Sequence, residues 1–275
     1  MRIGMVGAQS KHLEYFGTLI NKGVFGNARV EYLWGGDAPE RLEECAASLG
    51  IEHIADTPSG VIDNCDAVII TLRDGNAHAA PAVECLEKHR PVFVDKPFTC
   101  TIRDAAWIID RAKGTGTPFT GGSTLCFLPE VPDLTLKAGD CSRVDISYRA
   151  DPFSPYGGWY FYGSHLTDLC SVIGGTDALE VKAWMEGAKV FVDVYYPKKT
   201  VRLYSAPDLE KPRVVADAEY ILDDKACYEY GMKAFFDTIY SGHSRNDDRL
   251  LFSVRLMDAI MRSLANGCAL PFPLQ

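Results

Sequence analysis

The sequence predicts an α/β protein: a doubly wound parallel sheet first, then an α+β domain built on a mostly antiparallel open sheet. Three observations predict it. Short apolar strands alternate with amphipathic helices through residues 1–122, and strictly alternating strands crowd the stretch from 123 to 275. The chain's 275 residues are long for one core and comfortable for two domains, with the expected boundary at 122/123.

The elements follow in order. Residues 3–6 are a short apolar strand, and 11–22 a helix with Leu13, Phe16 and Ile20 at helical spacing. Residues 29–34 are the second strand, followed by a helix over 37–49 with Leu42, Cys45 and Leu49 on one face, stopped by Gly50. The run 67–71 is apolar enough for a central parallel strand buried on both faces. A helix over 76–88, a strand at 91–94, a helix over 101–113 and a closing strand at 118–120 complete the set. Such βαβ units with right-handed crossovers build an open parallel sheet.

In the second half, residues 143–149 alternate Val144, Ile146 and Tyr148 against Arg143, Asp145, Ser147 and Arg149. Residues 189–196 set Val190, Val192 and Val194 against Phe191, Asp193 and Tyr195, and 180–185, 200–204 and 213–218 are further strands. Helices over 165–173, 228–240 and 248–266 cover one sheet face, leaving the other for solvent or a partner.

Composition narrows the function classes. At 47% hydrophobic, 24% charged and 11% aromatic, the chain is globular rather than disordered, collagenous or coiled-coil. A net charge of −9 argues against sequence-independent nucleic-acid binding and against anionic membranes, both of which need a basic surface. The nine cysteines are odd in number and lack a C-x-x-C pair, so they read as buried thiols in a reducing compartment, without disulfides or structural zinc. Met1-Arg2 runs straight into a strand and no apolar stretch approaches ~18 residues, so a soluble cytoplasmic protein is expected.

Ligands of doubly wound sheets bind outside the carboxyl ends of the strands, which directs attention to the first strand–helix turn. It reads Gly7-Ala8-Gln9-Ser10-Lys11-His12. Gly7 can open a dinucleotide turn of the G-x-G-x-x-G kind, with Gln9 and His12 where further glycines are expected. Gly7, Ala8, Gln9, Ser10 and His12 are therefore the candidate pyrophosphate residues, and a plain strand–helix turn is the alternative. Asp37, after the second strand, is the candidate for the adenosine ribose hydroxyls; as the head of Asp37-Ala38-Pro39-Glu40 it equally suits a helix capping box.

The segment Val92-Phe93-Val94-Asp95-Lys96-Pro97-Phe98 resembles the Glu-Lys-Pro segment of the Gfo/Idh/MocA oxidoreductases, with Asp95 in place of the usual Glu. Ile70-Thr71 with Asn76-Ala77-His78 is similar to the family's loop after strand four. Gly157-Gly158 leading through Trp159 to His165-Leu166-Thr167-Asp168 is similar to its Gly-Gly…His-x-x-Asp segment, and the closing helices ending at Asn266-Gly267 also fit. The resemblance covers nearly the whole chain.

It implies a dinucleotide-binding domain over 1–122, a substrate and oligomerisation domain over 123–275, and NAD or NADP as cofactor. It also implies a sugar, polyol or related carbonyl substrate and a homodimer or homotetramer. Lys96 would orient or protonate the substrate oxygen and His165 would shuttle the proton, with Thr71, His78 and Asp95 beside the cofactor. The bland alternatives are an Asp95–Lys96 ion pair and a core histidine at 165. Tyr160, Tyr162 and Asp168 are the candidate substrate residues.

Phe161 stands where these dehydrogenases commonly carry an Asp, which leaves the Lys–Asp–His set incomplete. Non-net-redox chemistry with tightly held NAD, or a dinucleotide- or sugar-binding regulator without turnover, therefore stand as alternatives. Phe153, Tyr156 and Trp159 to Tyr162 form an aromatic segment suited to a sugar ring, a dimer surface or a core. Arg149 before it is either a carboxylate partner or an exposed-strand arginine. His165 and Asp168 offer two metal-ligand types without a third, Ser10, Ser123 and Ser164 lack a nucleophile-elbow context, and there is no P-loop.

Overall fold

In the computed structural model, residues 1–244 and 247–273 are described. They form two units. One comprises Met1–Thr99, Arg103–Gly121 and Gly231–Asp247; the other comprises Cys100–Ile102, Gly122–Tyr230 and Asp248–Gln275.

The first unit alternates strand and helix as expected: β1 (Arg2–Val6), α1 (His12–Asn21), β2 (Arg29–Trp34), α2 (Pro39–Leu49), β3 (His53–Ile54), α3 (Pro58–Asn64), β4 (Ala67–Ile70), α4 (Ala79–Glu87), β5 (Val92–Val94), α5 (Ile102–Thr115) and β6 (Phe119–Gly121). All neighbouring strands run parallel in the order β3-β2-β1-β4-β5-β6. Every residue of β4 is fully buried, which is why that strand reads as an unbroken apolar run. β3 and α3 lie outside the expectation. Thr57 caps α3 by accepting from the Gly60 N–H. α3 then packs so tightly on β1 that a Cβ on Gly4 would fall 2.3 Å from Val61. The strand order reverses between β1 and β4, which brings the turn after β1 beside the turn after β4.

In the second unit the chain runs α6 (Val131–Gly139), β7 (Arg143–Tyr148), α7 (Tyr160–Leu169) with a π turn over Cys170–Gly174, β8 (Glu180–Glu186), β9 (Lys189–Tyr195), β10 (Thr200–Ser205), β11 (Arg213–Val215), β12 (Glu219–Ile221), α8 (Cys227–Ser241), α9 (Asp247–Asn266) and β13 (Leu270–Pro271). The sheet order is β12-β11-β7-β10-β9-β8-β13, antiparallel throughout except for the parallel pair β7 and β10. Val144, Ile146, Val192, Val194 and Leu203 bury one face with Leu166, Leu169, Leu256 and Ile260. Each such aliphatic side chain contributes roughly 1.5–3 kcal/mol. On the other face Trp184 stacks on Phe191 at 5.3 Å, Tyr204 tilts against Phe191 at 4.9 Å, and Arg202 pairs with Asp193 at 2.6 and 2.7 Å.

Helix α8 departs from the expected domain cut, because from Gly231 onward it clusters with the first unit. The physical reason is aromatic: Phe235 meets Phe93 of β5 edge-on at 5.9 Å, and Phe236 stacks on Phe25 at 4.6 Å. No helix among the described residues is long and apolar enough to cross a membrane.

Candidate active site

The first unit builds its candidate site at the reversal point. Gly7 leaves β1 at φ +116°, and a Cβ there would lie 2.7 Å from the Leu72 backbone nitrogen, so only glycine fits this turn. Thr71, fully buried, donates its hydroxyl to the Gly7 carbonyl at 2.9 Å and ties the turn after β4 to the turn after β1. Ala8 and Gln9 then aim their N–H groups at one anion, the Asp37 carboxylate, at 2.7 and 3.1 Å. Arg41 donates to the Ala8 and Gln9 carbonyls at 2.9 and 2.8 Å and reaches Glu14 at 2.6 Å. Donors and acceptors of this loop are thus held by side chains of the same unit.

Two expectations change here. Asp37 does not cap α2: the cap position is Ala38, with no side-chain bond, and the Asp37 carboxylate has gone to the loop instead. A tertiary demand for an acceptor has overridden the local capping pattern. His12 likewise takes no glycine-like place in the turn. Ser10 accepts its N–H at 3.2 Å, and its ring Nδ1 bonds Asp95 Oδ2 at 2.5 Å. The Asp95 carboxylate thus has His12 as a partner, beside Lys96, whose charge also acts on it. Asp95 is 1% exposed. Burial pushes its carboxyl up, but the charge and hydrogen bond of His12, aided by Lys96, outweigh burial and hold it below the usual carboxylate range. Its Oδ1 is buried with no hydrogen-bond partner among the described residues. Lys96 follows, 4% exposed, before a cis bond to Pro97.

His78 is fully buried, with Nε2 2.8 Å from the Leu72 carbonyl and Nδ1 3.2 Å from that of Phe98. The ring lies between the segments after β4 and β5, and in its neutral form it donates its single N–H to one of these two carbonyls. Burial keeps it neutral by lowering its proton affinity.

The second unit holds His165 in the middle of α7, 7% exposed. Its Nδ1 lies 2.7 Å from the Ser123 hydroxyl, which can give or accept a proton there. The Ser123 N–H donates to Asp168 Oδ2 at 2.6 Å, and Arg249 lies 3.9 Å from the other Asp168 oxygen. Gly122, at φ +77°, makes room for this: a Cβ there would sit 2.7 Å from Asp168 Oδ2. Asp168 is thus an internal brace, 2% exposed. Tyr148 and Tyr162 flank the His165 ring at 5.5 and 5.4 Å.

A cavity of about 310 Å³ opens beside this cluster, walled by Arg149, Asp151, Tyr156, Phe161 and Tyr162. Tyr160 takes no part in that wall. Its hydroxyl is pushed up by burial, with Asp258 of α9 and Cys100 nearby.

Sequence reasoning missed Arg41 and the bond between Ser123 and His165. The Asp37-x-x-x-Arg41 spacing and the Gly-Gly-Ser run closing a parallel strand were the available signals. Among the described residues no group of three His, Cys, Asp or Glu can hold a metal ion.

Residues 1–122 match the Gfo/Idh/MocA family, described as an oxidoreductase family with an NAD-binding Rossmann fold. Over 107 residues the chain is 28% identical to scyllo-inositol 2-dehydrogenase (NAD(+)) of Bacillus subtilis (strain 168), a match covering 38% of this chain and 31% of that relative. The fold of a probable dehydrogenase from Thermotoga maritima superposes with a TM-score of 0.83 at 17% identity, covering 98% of each chain. That of scyllo-inositol dehydrogenase from Lactobacillus casei, solved with NAD(H) and scyllo-inositol, gives 0.82 at 13%, again over 98% of each. At these identities the likeness to the solved structures is one of fold.

Proposed function

We propose that this chain, whose first 122 residues match the Gfo/Idh/MocA oxidoreductase family, is an NAD-dependent oxidoreductase acting on a sugar, polyol or related small carbonyl compound. The observation that carries this reading is the convergence of the Ala8 and Gln9 N–H groups on carboxylate oxygens. A loop that holds one anion at the end of the first strand fits the pyrophosphate of a dinucleotide. Gly7, Ala8, Gln9 and Ser10 would hold that group. NAD is favoured over NADP because the nearby cation, Arg41, is already engaged by two carbonyls and Glu14, while Asp37 repels a further phosphate.

The bound dinucleotide supplies a hydride acceptor or donor. Lys96, buried in the first unit, orients the substrate oxygen and exchanges its proton. His165, in the second unit, is the candidate proton-shuttling residue implied by the family resemblance, with Ser123 as its positioning partner. The division into a cofactor domain over 1–122 and a substrate domain over 123–275 belongs to the same reading. The incomplete set at Phe161 favours, as the second reading, a protein that binds dinucleotide or sugar without turnover. Lys96→Met separates the two: on the first reading it abolishes NAD-linked turnover and leaves NAD binding within about twofold. An unchanged rate removes Lys96 from the chemistry.

A homodimer or homotetramer through the Trp184, Phe191 and Tyr204 face, in a reducing cytoplasm suited to nine unbridged thiols, completes the proposal. Light scattering at micromolar concentration tests the assembly, and a monomeric mass would sink it.

A further inference from the structure

We infer that the substrate carries a carboxylate and that Arg149 receives it, so that the chain acts on sugar acids rather than neutral sugars. The inference rests on the oxidoreductase reading only for the word substrate; the binding site itself stands within the second unit.

The cavity of about 310 Å³ has one cationic wall residue, Arg149. Its guanidinium lies over the faces of Tyr148 and Tyr162, 5.2 Å from each ring, so two aromatic planes fix its orientation. Its hydrogen-bonding capacity is not used up. The side chain is 42% exposed, and the nearest acid, Asp224, stands 3.8 Å away, beyond hydrogen-bond distance. That acid is already held by Lys211 at 2.7 Å and by the Tyr148 hydroxyl at 3.1 Å. A planar fork of donors, oriented in advance and incompletely paired, is matched to a carboxylate.

The rest of the wall decides between anions. Asp151 is the single acid on it, its Oδ1 turned to the Phe153 N–H at 2.8 Å. With Asp151 on the wall and Asp224 3.8 Å from Arg149, a phosphate dianion is opposed more strongly than a carboxylate monoanion. Phe161, the residue standing where an Asp is commonly found, lies 5.1 Å from Tyr156 and forms an apolar wall for a sugar ring. An Asp there would add a second negative charge facing the ligand. Phe161 therefore both removes a repulsion and supplies a surface, which accounts for the departure at this position. The reacting end lies nearby, since Tyr162 touches both the cavity and the His165 ring at 5.4 Å.

The test is a set of calorimetric titrations of the full chain with glucuronate, galacturonate and gluconate against glucose, galactose and myo-inositol, each with and without NAD. At least one acid is expected to bind ten or more times tighter than every neutral compound. Arg149→Met, which keeps the stem and drops the charge, is expected to erase that preference while NAD affinity stays within twofold. Phe161→Asp, a change on the cavity wall that leaves Arg149 in place, is expected to weaken acids at least fivefold and neutral compounds less than twofold. It carries the test if the Arg149 variant does not fold. Equal binding of acids and neutral compounds, binding of none of the acids, or a preference that survives both variants overturns the inference. Failure of the oxidoreductase reading is separate: NAD then fails to bind while the acid preference persists.

Discussion

Replacing Asp37 with alanine is expected to act in opposite directions on the free protein and on its cofactor complex. In the free protein the carboxylate accepts the Ala8 and Gln9 N–H groups at 2.7 and 3.1 Å. Hydrogen bonds to a charged group contribute about 1.5–3 kcal/mol each. Asp37 is half-buried, so water takes over part of the role, and a loss of about 2–3 kcal/mol is expected for the pair. For a chain of this size that lowers the melting midpoint by roughly 4–12 °C. The same carboxylate occupies donors that a pyrophosphate needs. If displacing it costs about 1–2 kcal/mol of binding energy, NAD should bind Asp37→Ala some 5–30 times tighter than the parent. Differential scanning calorimetry and isothermal titration on the two proteins give both numbers. A variant that melts lower and binds NAD at least tenfold more weakly would refute the displacement argument and return Asp37 to the ribose hydroxyls.

Three further outcomes follow from the same geometry. Gly7→Ala sets a Cβ 2.7 Å from backbone at φ +116°, so a loss of about 3 kcal/mol or more is expected in urea unfolding; a loss below about 1 kcal/mol would mean the turn is not constrained as described. Ser123→Ala removes the partner of His165 Nδ1, and kcat should fall roughly 10–100-fold with a displaced pH profile and unchanged NAD affinity, a pattern that a general loss of fold would not give. Burial lowers the proton affinity of His78 in the folded state, so only the unfolded chain gains its proton near pH 6.5. Stability attributable to His78 is therefore constant above about pH 6.5 and falls as the pH drops below it; the urea midpoint of His78→Gln should lack that slope.

The contrast between what the sequence revealed and what it hid has physical causes. β1, β4 and β5 were legible because parallel strands buried on both faces are unbroken apolar runs. β7 and β9 were legible because one covered face enforces period two. β3 and α6 were not: β3 spans two exposed residues, and α6 hides Val131, Leu134 and Ala138 at helical spacing between a proline and a glycine. Helix α7 begins at Tyr160 rather than 165, because an aromatic run shows no polar face to mark the start of a turn. In the site, Gly7 and Thr71 stood out from the strand ends they follow. Asp37 and His12 stood out as candidates, but their partners and that of Ser123 did not, because Ala8, Asp95 and His165 lie 29, 83 and 42 positions away and no local pattern encodes such contacts.

The central claim is that the loop from Gly7 to Ser10 receives a nicotinamide dinucleotide. Calorimetric titration with NAD, NADH, NADP and NADPH, after confirming that no nucleotide co-purifies, tests it most directly. The account predicts micromolar binding of NAD and NADH, with NADP and NADPH at least tenfold weaker. Absence of binding to all four would contradict it, leaving Asp37 as the permanent occupant of that loop.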